Sequence, residues 1–359
     1  MSAAQRPRAR VGGPGEGMPT ESAADDTTPG AGTPPNARSV PAPEPAARSL
    51  ADRGDRADRP GITARLRAYA ELVRVSAALS VPGDVLVGAA ASGRLPHGRT
   101  AALPLASVCL YWAGMALNDY ADRTSDADER PHRPIPSGRV APGGALGAAV
   151  GLTATGLALG SWAGGRRRLP ALLGLAGAVW TYDLIWKGTP FAPAGMALAR
   201  GLDVLVGAEP ARYALAAPSA AVVALHTYGL TALSRHEEHG TTPEPPARAL
   251  ATAAATAIAA ARIGHGRRPG DVKPADRSGA TPASAAALIA YAAAYGRPLL
   301  RASAAPQAPA IRAAVGGGVL ALIPLQAALL SRLGRPGAAL ALSASWPLGR
   351  ALTRHVSPT

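Results

Sequence analysis

"NDYADRTSDADERPHRPIPSGRV", Asn118–Val140, follows directly on the apolar run "AALPLASVCLYWAGMAL", Ala101–Leu117. Five carboxylates, Asp119, Asp122, Asp126, Asp128 and Glu129, fall within eleven residues, after a run with no charge of its own. On a continuous helix Asn118, Asp119, Asp122 and Asp126 project within about a quarter turn of one another. Like charges at that spacing repel unless a cation sits among them. Mg2+ takes oxygen ligands and is held by one or two carboxylates together with substrate phosphate oxygens. The stripe therefore suits a magnesium-diphosphate site at a membrane surface, with Asn118, Asp119, Asp122 and Asp126 as ligands. The bland alternative is a solvated acidic loop. A calcium EF-hand is excluded, because alternate-residue ligands and the central glycine are missing.

Working outward, the chain of 359 residues has 48% hydrophobic residues, a mean hydropathy of +0.09 and a formal charge of +14. From about residue 70 the apolar residues gather into long runs, many near the ~20 residues that cross a bilayer. Nine are expected to span: Glu71–Ala91, Ala101–Leu117, Leu146–Gly164, Leu169–Ile185, Phe191–Ala208, Tyr213–Leu233, Ala249–Ile263, Ala285–Leu300 and Ala313–Leu333. The seventh is short and weakly apolar. A tenth stretch, Ala338–Leu352, is too short and proline-interrupted to count. The expected fold class is all-α, a multi-pass membrane helical bundle.

Residues 1–64 form a Pro/Ala/Arg-rich segment with too little apolar surface to offset the entropy of ordering it, so a disordered tail is expected there. It holds no signal-peptide core, which leaves insertion to the first span. Cys109, the single cysteine, reads as a buried small hydrophobe. The basic residues are scattered and accompany no nucleic-acid motif, so the expected partner is the lipid bilayer and not nucleic acid. With nine spans, the loops after helices 2, 4, 6 and 8 share one side. Arg53, Arg56, Arg59, Arg65 and Arg67 before the first span place that side in the cytoplasm of a cell-membrane protein.

On these motifs the sequence resembles the UbiA superfamily of intramembrane prenyltransferases, whose first motif, NDxxDxxxD, is matched by Asn118, Asp119, Asp122 and Asp126. "YDLIWKGTP", with Tyr182, Asp183 and Lys187, looks like the loop after helix 4. "ERPHRPIPSGRV", "YDLIWKGTPFAP" and "GVLALIPLQAALL" are similar to the EboC-like bacterial branch. The resemblance covers roughly residues 65–359. It implies a prenyl diphosphate donor bound through Mg2+, a small acceptor, ionisation chemistry in which diphosphate leaves and an electron-rich acceptor attacks the allylic cation, and three loops capping a central cavity. In that frame Lys187, Arg235 and Asp183 serve diphosphate departure. Asn118, Arg133, Arg139, Tyr182 and Arg200 serve donor binding, with the Ser137–Gly138 turn offering N–H groups to phosphate.

The family's second motif, DxxxD after helix 6, is absent: Leu230 and Ser234 stand where carboxylates are expected, and Glu237 and Glu238 one turn on are the substitute metal ligands. "HEEH" there does not have zincin spacing. Arg200 and Asp203 are expected to pair on one helix face, Asp84 to meet an acceptor hydroxyl or act as base, and His226 and Tyr228 to pack or line the cavity. The degenerate second motif keeps a rival reading open, a noncatalytic membrane protein that retains the fold and binds a lipid diphosphate or a partner. Intramolecular cyclisation of the prenyl chain is a third.

Overall fold

The computed structural model describes residues 61–74, 78, 80–264 and 280–355. The expected tail lies outside them as far as residue 60. The first helix, α1 (Ile62–Leu72), begins inside the boundary set at residue 64.

Among the described residues the fold is helical throughout, with no strand. Nine further stretches form the legs of the bundle. They are α2 (Val81–Ala91), α3 (Leu103–Ala121), α5 (Pro142–Gly164) and α6 (Leu169–Thr181), followed by α7 (Ala192–Gly207), α8 (Tyr213–Ser234) and α9 (Glu244–Arg262). The eighth leg is α10 (Pro282–Tyr291) with α11 (Arg297–Ala304), and the ninth is α12 (Ala308–Arg332). A short helix, α4 (Ser125–Glu129), sits in the acidic loop, and α13 (Pro336–His355) follows the last leg. Proline stands in the first turn of most legs, where its fixed φ suits the helix start and its missing N–H costs nothing. Gly165, at φ +74°, closes α5 in a conformation that favours glycine.

Contacts between loops bear out the alternation of sides. At one end the loop after α3 meets those after α6 and α8, and Thr241 donates its N–H to Pro306 O at 2.9 Å, adding the loop after α11. At the other end Arg168 donates to Val206 O at 2.8 Å, Glu209 N–H to Ser92 Oγ at 3.1 Å and Arg332 Nε to Ile263 O at 2.9 Å.

The count of spans differs from the expectation of nine. Five helices among the described residues are long and apolar enough to cross a membrane: Gly98–Ala121, Pro142–Gly164, Arg166–Trp186, Pro210–Ser234 and Ala308–Arg332. The expected span Glu71–Ala91 is broken after Leu72, where Val73 and Arg74 form a turn. The fifth leg, α7, has 16 residues, about 24 Å at the helical rise, short of the ~30 Å hydrocarbon core. The eighth runs unbroken from Pro282 through a wider turn at Ala292–Gly296 to Ala304, but Arg297 and Arg301 make its second half too polar to count. Ala338–Leu352, discounted as a span, lies inside the 20-residue α13.

Small residues bring the legs together. A Cβ on Gly88 of α2 would overlap the Val204 carbonyl oxygen, and one on Gly207 of α7 would overlap that of Val85. Backbones this close need glycine on both helices. Gly207→Ala is expected to force α2 and α7 apart and lower stability by about 1–3 kcal/mol, the cost of overpacking. Gly177→Ala, where nothing lies within 4 Å of a new Cβ, is the control expected to leave the melting temperature unchanged or raised in detergent.

Candidate functional site

The acidic stripe is not on one continuous helix. α3 ends at Ala121, a turn follows, and α4 restarts at Ser125. The i→i−4 pattern nonetheless persists, because Asp122 N–H donates to Asn118 O at 3.0 Å and Asp126 N–H to Asp122 O at 2.8 Å. That continuity keeps the four side chains together at one end of the bundle.

A fourth carboxylate joins them from α6. The turn that continues α6 past Thr181, Tyr182–Trp186, is π-helical: Lys187 N–H reaches back five residues to Tyr182 O at 2.8 Å. Such wide turns re-aim side chains and recur at functional sites. Here the turn directs Asp183 and Lys187 across to α3. Asn118 Nδ2 donates to Asp183 Oδ1 at 3.1 Å, and Lys187 Nζ bonds Asp122. Asp183 is buried, whereas the Asp122 side chain keeps 22% of its exposure. Gly195 leaves the room that the Trp186 and Tyr182 rings fill at the start of α7.

Arginines bridge the remaining acids. Arg133 Nη1 donates to Asp126 Oδ2 at 2.7 Å and to Asp119 Oδ1 at 3.4 Å, and Arg130 Nη1 meets Asp126 Oδ1 at 3.4 Å. Arg74 Nη2 donates to Asp119 Oδ1 at 2.8 Å. Sequence reasoning missed Arg74 and Arg130. Arg74 stands at φ +47°, a conformation disfavoured for a side chain with a Cβ, and such strain clusters at functional sites. No spacing pattern marks it in the sequence. Charges balance in this cluster: Asp119, Asp122, Asp126 and Asp183 against Arg74, Arg130, Arg133 and Lys187.

The loop after α8 reaches the same cluster through one link, Arg130 Nη2 to Glu238 Oε1 at 3.2 Å. Burial pushes the Glu237 carboxyl up, opposed by the charges of Arg312 and Arg130. Arg235 is exposed and pairs with no carboxylate among the described residues.

Three expectations are corrected. Arg139 does not point to the acids: it donates to Glu71 at 2.5 and 2.9 Å and to His132 O at 2.6 Å. The Ser137 and Gly138 N–H groups are spent on Arg133 O and Ile135 O, both at 3.0 Å, so the turn offers no phosphate cradle. Arg200 pairs not with Asp203 but with Asp84 of α2, at 2.9 Å, while Asp203 accepts from Ser107. Gln326 Nε2 also donates to Asp84, at 2.6 Å. This second polar cluster is separate from the first. Ser107 and Asn118 lie on one face of α3, eleven residues and so about 16 Å apart. His226 is buried between Tyr291 Oη at 3.0 Å and Gly318 O at 3.1 Å, which makes it a packing residue, while Tyr228 faces outward.

The Glu71–Arg139 pair carries a pH signature. Hydrogen bonding to Arg139 holds the Glu71 carboxyl below its ordinary value, against the effect of burial. A depressed acid stabilises the fold above its unfolded pKa and loses that contribution as pH falls through the folded value. Hydrogen exchange across residues 132–140 is therefore expected to accelerate as pH drops below about 4.5 after correction for intrinsic rates.

The donor set fits Mg2+ in one manner only. Among the described residues no three His, Cys, Asp or Glu side chains converge into a metal cage, so Asp119 and Asp126, held by Arg74 and Arg133, do not join Asp122 in the expected ligand set. Hard carboxylate oxygens on Asp122, beside the Asn118–Asp183 pair, suit a cation that completes its shell with water and phosphate oxygens.

Comparison with known proteins gives a consistent outcome. Residues 81–238 match the UbiA prenyltransferase family. The digeranylgeranylglyceryl phosphate synthase of Methanopyrus kandleri is 37% identical over 128 residues, 35% of this chain and 46% of that protein. The chain thus spans less than half the length of the curated relatives it matches. A UbiA homolog from Archaeoglobus fulgidus, solved bound to GPP and Mg2+, superposes with a TM-score of 0.52 at 16% identity, covering 76% of this chain and 99% of that one. A structure from work on digeranylgeranylglyceryl phosphate synthase in membranes superposes at 0.55, with 14% identity and the same coverages. At these identities the likeness is one of fold. The family match and the five helices long and apolar enough to cross a membrane make the chain a multi-pass membrane protein.

Proposed function

The chain carries a UbiA prenyltransferase family domain over residues 81–238, and from that premise we propose that it is a membrane-embedded, Mg2+-dependent prenyltransferase of the EboC-like branch. It would move a prenyl group from an allylic diphosphate to an aromatic or other small acceptor. The observation that carries the reading is the meeting of Asp119, Asp122, Asp126 and Asp183 with Lys187, Arg74 and Arg133 at one end of an apolar bundle.

Asp122 and Asn118, with Asp183 behind them, would hold the metal, and Glu237 and Glu238 would approach from the loop after α8. Bound Mg2+ would neutralise charge on the leaving diphosphate. Lys187 sits on Asp122 and is 30% exposed, so it can turn its ammonium to the donor as negative charge develops there. Arg235, exposed on the same end, supplies a second cation. Arg133 and Arg74 act by position, holding Asp126 and Asp119 in place. The apolar legs beneath exclude water, so the allylic cation left by C–O cleavage meets the acceptor and not hydroxide. On this reading the site end faces the cytoplasm of the cell membrane.

The test is diphosphate release and acceptor prenylation by the full-length protein in nanodiscs, with Mg2+ and prenyl diphosphates of graded length. Turnover that stops on chelation supports the proposal. Tight binding of a nonhydrolysable analogue without turnover of any donor would instead favour the noncatalytic reading, which the missing carboxylates at Leu230 and Ser234 support.

A further inference from the structure

α1 packs on the bundle with one side only. Ala68 and Leu72 are buried with Ala116, Leu117, Ile135 and Val140. A neighbouring strip is bare: Ile62 is 78% exposed, Leu66 64% and Tyr69 37%. At the helical period these three lie within about 60° of one another. Thr63, Arg67 and Glu71 occupy the polar side, and Arg65 flanks the strip.

The level of the helix follows from its neighbour. Tyr69 Oη packs against Gly144, in the first turn of Pro142–Gly164, a span that buries only 22% of its apolar window within the bundle and so faces outward along most of its length. α1 therefore lies where that span enters the bilayer. An 11-residue helix with an apolar strip, a polar side and flanking arginines at that level matches the pattern of interfacial helices, which sink ~5–10 Å into the headgroup and acyl boundary.

We propose that α1 is a bilayer-surface helix, its Ile62–Leu66–Tyr69 strip docked on the acyl boundary and Arg65 and Arg67 among lipid phosphates, and that it anchors the loop bearing Arg133 and Arg139. The coupling runs through its C-terminal end, where Glu71 holds Arg139 and Arg74 holds Asp119. Leaving the bilayer would release both ties. The occupant is the membrane that the bundle already crosses, which needs no further partner.

The test uses the full chain in nanodiscs, in a Cys109→Ser background, with nitroxide labels on Leu66→Cys and Thr63→Cys. The Leu66 label is expected to collide with lipid-dissolved oxygen and the Thr63 label with a water-soluble nickel relaxant. Equal access of both labels to nickel would overturn the proposal. So would a Leu66 label shielded from both relaxants, the mark of a second copy or of residues 1–60 on the strip. Separately, Leu66→Glu in nanodiscs is expected to raise hydrogen exchange across residues 132–140 at least ~5-fold, as local opening becomes cheaper. Unchanged exchange would refute the anchoring. Neither readout depends on turnover, so failure of the prenyl-transfer reading leaves both intact.

Discussion

Asp122→Ala is expected to lower Mg2+-dependent diphosphate release at least ~100-fold, the scale of removing one preorganised electrostatic contact to a leaving group. Its melting temperature in detergent should stay close to that of the unaltered protein. The separation follows from exposure: the Asp122 side chain is 22% exposed and its partner Lys187 30%, so neither is left stranded in a dry interior. Asp126 makes the contrast. Its side chain is 1% exposed and ties down Arg133, 13% exposed, and removing one member of a buried pair costs about 3–5 kcal/mol. Asp126→Ala would thus lose activity through the fold, and Asp122→Ala through the chemistry. Lys187→Met should behave like Asp122→Ala. A full-rate Asp122→Ala protein would remove the acidic end from the mechanism.

That distinction between Asp122 and Asp126 is invisible in the sequence, where both belong to one stripe. The spacing from Asn118 to Asp126 sets which side chains share a face, and it survives the break at Ala121 because the backbone bonds continue. Burial depends on what other loops bring. Arg133, fourteen residues beyond Asp119, and Arg74, forty-five before it, arrive through tertiary folding alone. The same limit explains Arg200. An i, i+3 rule pairs it with Asp203, but the close approach of α2 at Gly88 and Gly207 places Asp84 within reach. The alternation of loops was legible because long apolar runs dictate it. The span count was not, since Ala and Gly make short legs look continuous with longer ones.

Arg200→Met is the variant expected to destabilise the fold most. Arg200 lies between Asp84, fully buried, and Asp203, 4% exposed, with Asp84 Oδ2 at 2.9 Å. Without the guanidinium, two carboxylates stand in an apolar interior with only Gln326 and Ser107 as donors, and loss of one partner from a buried pair costs about 3–5 kcal/mol. Neutralising the acids should return most of that. In the triple variant with Asp84→Asn and Asp203→Asn, each amide oxygen can still accept from Gln326 or Ser107, and no charge is left buried. Cys109, the single cysteine and itself buried, reports unfolding through a thiol-reactive dye in detergent. The dye should react at a markedly lower temperature in Arg200→Met and recover at least half of the shift in the triple variant. If Arg200→Met melts like the unaltered protein, the pair contributes nothing to the fold, and the guanidinium is free for a ligand. If the single variant falls and the triple variant falls further, the carboxylates themselves hold the bundle, through partners other than Arg200.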